Sequence, residues 1–285
     1  MTATLRCGPF TFGLERPLVM GILNVTPDSF SDGGRYIDPK HALTHARRMR
    51  DDGADLIDIG GESSRPGASP VPEGDELTRV MPLVEELAAE GVAVAVDTRK
   101  PVVMRAAIAA GAAMINDIGA LTASGAIEVC ADSNVGVCLM HMQGEPQTMQ
   151  TAPMYGDVVA EVRDFLVARA GVCESAGIAR ERIAIDPGFG FGKTLAHNLA
   201  LLRSIGTLAA TGYPVLAGLS RKASFGEITG RKVDERLATS LAAALAAVAH
   251  GATIVRVHDV RETVDALKVW CAVEPEMSFF NHGSR

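Results

Sequence analysis

The residues best suited to chemistry are polar groups that close short apolar runs. Asn24, Asp97, Asn116-Asp117, His141, Asp186 and Ser220-Arg221-Lys222 each stand at or just after the end of such a run. Arg256 and His258 close the last run. They are two residues apart, so on a strand they share one face. An arginine beside a histidine suits an anionic group, most simply a phosphate. Asp97, Asn116 and Asp186 supply acceptors, and the asparagine also a donor. Such a set suits the nitrogen-rich edge of a flat heterocycle. Any one of these residues has a structural explanation, such as capping the next helix. Their recurrence at the end of one run after another points to a common site.

The elements that must position them follow from the same pattern. The apolar runs cover residues 18–25, 54–59, 92–97, 113–118, 136–142, 183–186, 213–219 and 253–258. They are short and rich in Val and Ile, as parallel strands buried on both faces are. Between them, residues 39–52, 75–90, 101–110, 157–176 and 234–250 are long enough for helices, with a weaker segment at 124–133. Asp234 is the expected N-cap of its helix. Gly53, Gly91, Gly111, Gly177 and Gly251 fall where helices should stop.

Eight strand–helix units predict an α/β fold, a (β/α)8 TIM barrel with its chemistry at the carboxyl ends of the strands. A doubly wound open sheet is the alternative. The count of eight and the lack of a GxGxxG opening favour the barrel. Residues 5–14, with Gly8-Pro9 between apolar pieces, predict a hairpin within residues 1–16 that plugs the barrel bottom. Residues 272–285 are polar and read as a flexible tail. No linker divides the chain, so residues 1–285 form one expected domain.

The bulk properties agree with a soluble enzyme. Of 285 residues, 47% are hydrophobic and 21% charged, an ordinary globular balance. The net charge of −7 argues against a dedicated nucleic-acid binder. Cys7, Cys130, Cys138, Cys173 and Cys271 are scattered without a CxxC pair. They read as reduced structural thiols of a cytoplasmic protein. Met1 leads into Thr2-Ala3-Thr4-Leu5-Arg6 without an apolar signal stretch, and no run approaches a membrane span.

Two loops follow the first two strands. One is Thr26-Pro27-Asp28-Ser29-Phe30-Ser31-Asp32-Gly33-Gly34, the other Gly60-Gly61-Glu62-Ser63-Ser64-Arg65-Pro66-Gly67-Ala68. Both are rich in Gly, Pro and Ser, so flexibility is expected. At a barrel mouth they would form a mobile lid.

These segments together resemble the dihydropteroate synthase family. The matching stretches are Met20-Gly21-Ile22-Leu23-Asn24-Val25 with the first loop, and Asp58-Ile59 with the second. Then come Val96-Asp97-Thr98 with Lys100-Pro101, Ile115-Asn116-Asp117, and Leu139-Met140-His141-Met142-Gln143-Gly144. The last are Asp186-Pro187-Gly188-Phe189-Gly190-Phe191-Gly192-Lys193, Ser220-Arg221-Lys222 and Arg256-Val257-His258-Asp259. The resemblance runs in matching order from about residue 18 to about residue 270. It implies a transferase that condenses 4-aminobenzoate with (7,8-dihydropterin-6-yl)methyl diphosphate. The products are 7,8-dihydropteroate and diphosphate, on the folate route.

The resemblance also implies roles. Asp97, Asn116, Met140, Asp186, Gly218 and Lys222 match pterin-binding positions. Asn24, Ser64, Arg65, Arg256 and His258 match the diphosphate site, with Asn24 as the protein ligand of Mg²⁺. Phe30, Ser64, Arg65, Pro66, Phe191 and Lys222 match the aminobenzoate side. Asp97, Lys222 and Arg256 are the implied catalytic residues, with Asp97 stabilising a pterin cation. Sulfonamides are implied as competing ligands, and a homodimer as the assembly. Two positions depart from the family pattern: Ser64 where threonine is more usual, and Ala223 where serine often follows the lysine. Both bear on aminobenzoate binding.

Two rival readings share many of these residues. A pterin-dependent methyltransferase barrel would use the same acids and asparagine, with less need of the long loops. A non-catalytic pterin binder would not need Lys222, Arg256 and His258 together. Elsewhere the expectations are structural. Cys138 packs in the core. His141 either lines the mouth or is a satisfied structural histidine. His250 sits at a helix end. Leu237, Leu241 and Leu245 have helical spacing and are expected to pack on the barrel.

Overall fold

Side chains alternate along a strand, so a strand buried on both faces must be apolar on both. The computed structural model describes residues 3–26, 39–63 and 67–274. An N-terminal pair, β1 (Thr4–Cys7) and β2 (Phe10–Gly13), precedes the larger sheet. That sheet comprises β3 (Leu18–Asn24), β4 (Leu56–Gly60), β5 (Val94–Asp97), β6 (Met114–Asp117), β7 (Gly136–Met140), β8 (Ile183–Asp186), β9 (Leu216–Ala217) and β10 (Ile254–Val257). Strands β3 to β8 neighbour one another in order, and β10 lies between β3 and β9. A bridge from Ile185 to Val215 joins β8 to the β9 segment and closes the ring. The sheet is the expected barrel, and this closure excludes the open doubly wound alternative.

The helices surround it in sequence order. They are α1 (Pro39–Asp51), α2 (Glu73–Ala89), α3 (Pro101–Ala109), α4 (Ala126–Ala131), α5 (Val158–Ser175), α6 (Leu195–Arg203), α7 (Ile205–Ala209), α8 (Ala223–Thr229), α9 (Leu237–Ala249) and α10 (Val260–Val273). The five glycines expected to end helices all have positive φ. Asp157 caps α5 by accepting from the Val159 and Ala160 amides.

Two hydrophobic layers result. Val19, Ile57, Val96, Ile115 and Leu139 lie in the layer shared with the helices. Met20, Leu56, Ala95, Met114, Cys138 and Ile254 lie in a second cluster with Leu5, Cys7 and Leu14. The β1–β2 hairpin therefore plugs the lower barrel, as expected. Burying one leucine there contributes roughly 2 kcal/mol. The plug needs Gly136: a Cβ on it would lie 2.6 Å from Cys7 Sγ and 3.0 Å from the Arg6 carbonyl oxygen.

Two residues further along, the same inward positions turn polar. Leu56 gives way to Asp58, Ala95 to Asp97, Met114 to Asn116, Ala184 to Asp186 and Ile254 to Arg256. One barrel thus has an apolar lower half and a polar upper half.

Several expectations change. The run at 213–219 yields a ladder of only Leu216–Ala217. Pro214 has no N–H, and the Val215 amide donates to Thr253 Oγ1 at 3.1 Å instead of to a neighbouring strand. Asp234 does not cap α9. It lies in a short 3-10 turn, Val233–Glu235, and α9 starts after Arg236 without a side-chain cap. On α9 the inward face is made chiefly of small residues: Ser240, Ala243, Ala244 and Ala247 are buried, Leu245 packs at the core's edge, Leu241 is half-buried and Leu237 is exposed. Small residues let the helix approach the barrel closely. Helix α10 continues to Val273, so the tail begins later than residue 272, and residues 275–285 lie outside the described residues.

Candidate active site

The polar layer opens upward into a cavity of about 1510 Å³. Ordinary ligand pockets span ~300–1,000 Å³, so this one has room for two small molecules. Asn24, Asp97, Asn116, Asp186, Lys222, Arg256 and His258 all line it. So do Met140, Phe191 and Gly218. Phe30, Ser64, Arg65 and Pro66 lie outside the described residues.

Arg256 is the centre of the floor. Its Nε donates to Asp58 Oδ2 at 2.5 Å and its Nη2 to Asp97 Oδ2 at 2.9 Å. Burial works against its charge, but Asp58 and Asp97 outweigh that and hold it firmly protonated. Asp58 Oδ2 also accepts from Asn116 Nδ2 at 3.0 Å. Burial pushes the Asp97 carboxyl well above the ordinary range; Arg256 opposes this and Asp58 adds to it. Burial also raises Asp186, against the Gly188 amide that donates to its Oδ1 at 2.7 Å.

The loop after β8 forms a wall. A Cβ at Gly188, where φ is +68°, would meet the His141 carbonyl oxygen at 1.9 Å. Only glycine lets this turn fold back on β7. Lys193 closes the loop. Its buried Nζ contacts His141 Nδ1 at 3.0 Å, His141 O at 3.2 Å and Phe191 O at 3.0 Å. Burial draws its pKa down to about 7, and burial with Lys193 draws His141 down to about 3. His141 packs edge-on against Phe165, so it is the structural histidine and not a mouth residue. Phe191 in turn faces Lys222, whose Nζ is 4.3 Å from the ring centroid. Ile118, Met140, Met149 and Phe191 form an apolar cluster beside the polar floor. A flat ring with a polar edge suits that junction.

The rim is braced at β9 and β10. Ser220 Oγ lies 3.0 Å from His258 Nδ1. Arg221 adopts φ +57°, a strained value for a side-chain-bearing residue. It is held there by Asp259, at 2.5 Å, and by its amide donating to Ser240 Oγ. Ser224, which also lines the cavity, accepts from Asn198 Nδ2 of α6 at 2.9 Å. Asp117 faces away from the cavity and accepts from the Gly119 and Leu121 amides. His250 sits exposed at the C-cap of α9.

The stems of the second loop meet on one ammonium. Lys100 Nζ binds Glu62, Glu76 and the Val71 carbonyl oxygen. Glu62 lies in the first part of the loop and Val71 just beyond its end, so Lys100 ties its two sides together. This cluster and Asp58 carried no assigned role on sequence alone. For Asp58 a signal existed: a lone acid between Ile57 and Ile59 must find a partner when buried.

Among the described residues no group of three or more His, Cys, Asp and Glu is arranged to hold a metal. Asn24 offers a single neutral oxygen. It lies near Asp97 across Gly60, where a Cβ would be 3.6 Å from Asn24 Oδ1 and 3.7 Å from Asp97 Cβ. Among the described residues no helix is long and apolar enough to cross a membrane.

The fold and this floor define a barrel with a large, charged cavity at its strand ends, the place where barrel enzymes carry their chemistry. Residues 20–258 match the family described as pterin binding enzyme. The chain is 53% identical to the dihydropteroate synthase of Neisseria meningitidis serogroup B, over 94% of this chain and 96% of that one. Solved structures agree. Dihydropteroate synthase of Xanthomonas albilineans with 4-aminobenzoic acid has a TM-score of 0.91 and 54% identity, covering 96% of this chain and 99% of that one. The Burkholderia cenocepacia enzyme complexed with 7,8-dihydropteroate has a TM-score of 0.88 and 55% identity, covering 96% and 97%. The Yersinia pestis enzyme in a sulfonamide drug complex has a TM-score of 0.91 and 48% identity, covering 95% and 99%. The chain belongs to the dihydropteroate synthase family of pterin-binding enzymes.

The Lys100 clamp yields a stability test. Glu76 is buried, and removing its cation leaves a carboxylate unpaired. Lys100→Met should lower the unfolding free energy by about 3 kcal/mol, read from urea denaturation. A loss below about 1 kcal/mol would mean the clamp is no stronger than a surface pair.

Proposed function

We propose that this enzyme joins 4-aminobenzoate to (7,8-dihydropterin-6-yl)methyl diphosphate, giving 7,8-dihydropteroate and diphosphate. The observation that carries the reading is the charged floor beside an apolar wall. Asp58, Asp97 and Asp186 gather there with Arg256 and Lys222, and burial disfavours the charged forms of Asp97, Asp186 and Lys222. Carboxylates held at such a floor attract a cationic ring more strongly than a neutral one.

The reaction suits this floor. The carbon–oxygen bond to diphosphate breaks, and the electron pair leaves with diphosphate. Positive charge spreads over the pterin, where Asp97 stabilises it. The arylamine nitrogen then attacks the methylene carbon and loses one proton. No side chain need act as nucleophile. Asp97, Asn116 and Asp186 bind the pterin edge, with Lys222 beside it. Met140 flanks the ring, and the bare Gly218 leaves space above Asp186, since a Cβ there would lie 4.0 Å from Asp186 Oδ2.

His258 and the Nη1 edge of Arg256 face the departing anion. Arg256 is thus shared between the pterin floor and the diphosphate. Ser64 and Arg65 are assigned to the diphosphate as well. Phe30, Ser64, Arg65, Pro66, Phe191 and Lys222 are assigned to the aminobenzoate side. A lone amide oxygen at Asn24 fits Mg²⁺ that arrives with diphosphate, because Mg²⁺ keeps most of its ligands as phosphate oxygens and water. When bound, it would neutralise charge on the leaving group.

The relatives favour this reading over a methyl-transferring pterin barrel, since those matched along most of the chain are named synthases. The retained Lys222, Arg256 and His258 favour it over a non-catalytic binder. Sulfonamides are assigned as competitors of 4-aminobenzoate, as the named Yersinia complex suggests. The proposed compartment is the cytoplasm, in keeping with the buried free thiols of Cys7, Cys130, Cys138 and Cys173. The proposed assembly is a homodimer. Ile228, Val233 and Leu237 give each copy an exposed apolar surface.

Three measurements test the chemistry and a fourth the assembly. Diphosphate release should require both substrates and be inhibited by a sulfonamide competitively with 4-aminobenzoate. Asp97→Asn should reduce turnover on the order of 100-fold; nearly unchanged turnover would remove Asp97 from the mechanism. Burial pulls Lys222 down to about 8, so its cationic form is lost as pH rises through that value. The kcat/KM profile should therefore fall above about pH 8, and Lys222→Arg should move that limb upward. An unmoved limb would assign it to another group. Solution scattering should return twice the mass of one chain, and a single-chain mass would refute the dimer.

A further inference from the structure

Asp58 is fully buried in the middle of β4 and does not itself line the cavity. Both groups that bind it do. Its Oδ2 accepts from Arg256 Nε on β10 and from Asn116 Nδ2 on β6. Its Oδ1 is buried without a hydrogen-bond partner. Among the described residues, all of the Asp58 hydrogen bonding therefore falls on Oδ2, and through it on Arg256 and Asn116.

That arrangement constrains both partners. An ionised carboxylate accepts hydrogen bonds and cannot donate them. Asn116 must then turn its NH₂ group down to Asp58, which turns its carbonyl oxygen the other way. Arg256 must turn its Nε edge down, which leaves the Nη1 edge for the cavity. One buried oxygen thus sets the polarity of two groups at the floor.

We infer that Asp58 is a positioning residue that fixes Asn116 as an acceptor toward the pterin and holds the Arg256 guanidinium edge-on at the floor. This rests on the pterin reading and deepens it: the ring must present a hydrogen-bond donor to Asn116. Asp58 also adds negative charge beside Asp97. Its removal should let Asp97 ionise at lower pH.

A double-mutant cycle tests the inference. Binding of 7,8-dihydropteroate is measured by calorimetry for the parent, Asp58→Asn, Asn116→Asp and the double variant. Asn116→Asp alone sets two carboxylates against each other and should weaken binding on the order of tenfold or more. In the Asp58→Asn background the new amide can donate to the carboxylate introduced on β6, whose second oxygen still offers an acceptor. There the same change should cost roughly threefold or less. Independent, multiplying losses would overturn the inference.

A second arm uses Asp58→Asn alone, which keeps the size of the side chain. The acidic limb of kcat/KM should move to lower pH, because Asp97 must be ionised and the charge opposing its ionisation is gone. A merely structural residue would lower activity without moving that limb, and this result would also overturn the role. Melting temperatures check that each variant is folded. If the parent itself fails to bind 7,8-dihydropteroate, the pterin reading falls first and this inference with it.

Discussion

The rest of the site depends on one partly buried guanidinium shared by two carboxylates. Arg256 reaches Asp58 on β4 and Asp97 on β5, and Asp58 reaches Asn116 on β6. A charge inside a barrel is tolerable only when it is paired and hydrogen-bonded. Here the pairing links four strands, and closure of the barrel is what brings β10 near them. The lower half must stay dry for these interactions to be strong. The hairpin provides that by adding Leu5, Cys7 and Leu14 to the lower layer.

The same constraint shapes the chemistry. Asp58, Asp97, Asp186, Lys222 and Arg256 share one floor. Burial raises Asp97 and Asp186, and lowers Lys222 to about 8, so none of these groups is at ease in its charged form. In the proposed reaction, a ring that becomes cationic as its leaving group departs would meet these carboxylates at the moment of bond breaking, which would be differential binding of a transition state. The surrounding loops extend the principle. Lys193 holds the β8 loop, Asp259 holds the Arg221 turn, and Lys100 holds both stems of the second loop.

Strand parity made much of this legible in advance. Inward positions alternate, and the sequence places polar residues at run ends. Asn24, Asp97, Asn116, Asp186, Arg256 and His258 could therefore be gathered at one mouth from the sequence. Other features were not legible. The leucines of α9 have the spacing of a core face, yet its inward face is made chiefly of small residues, which allow close approach to the barrel. The strand at 213–219 reads as long, yet Pro214 and the Thr253 hydroxyl leave it two residues of ladder.

The sequence by itself determined the barrel, the level at which its interior turns polar, and the family. These are local or periodic properties, written in alternation, run length and motif order. Tertiary structure decided the partnerships. Asp58 meets Asn116 across 58 positions and Arg256 across 198, and no periodicity connects residues so far apart. Only closure of the ring makes them neighbours, and only burial makes their charges matter to one another.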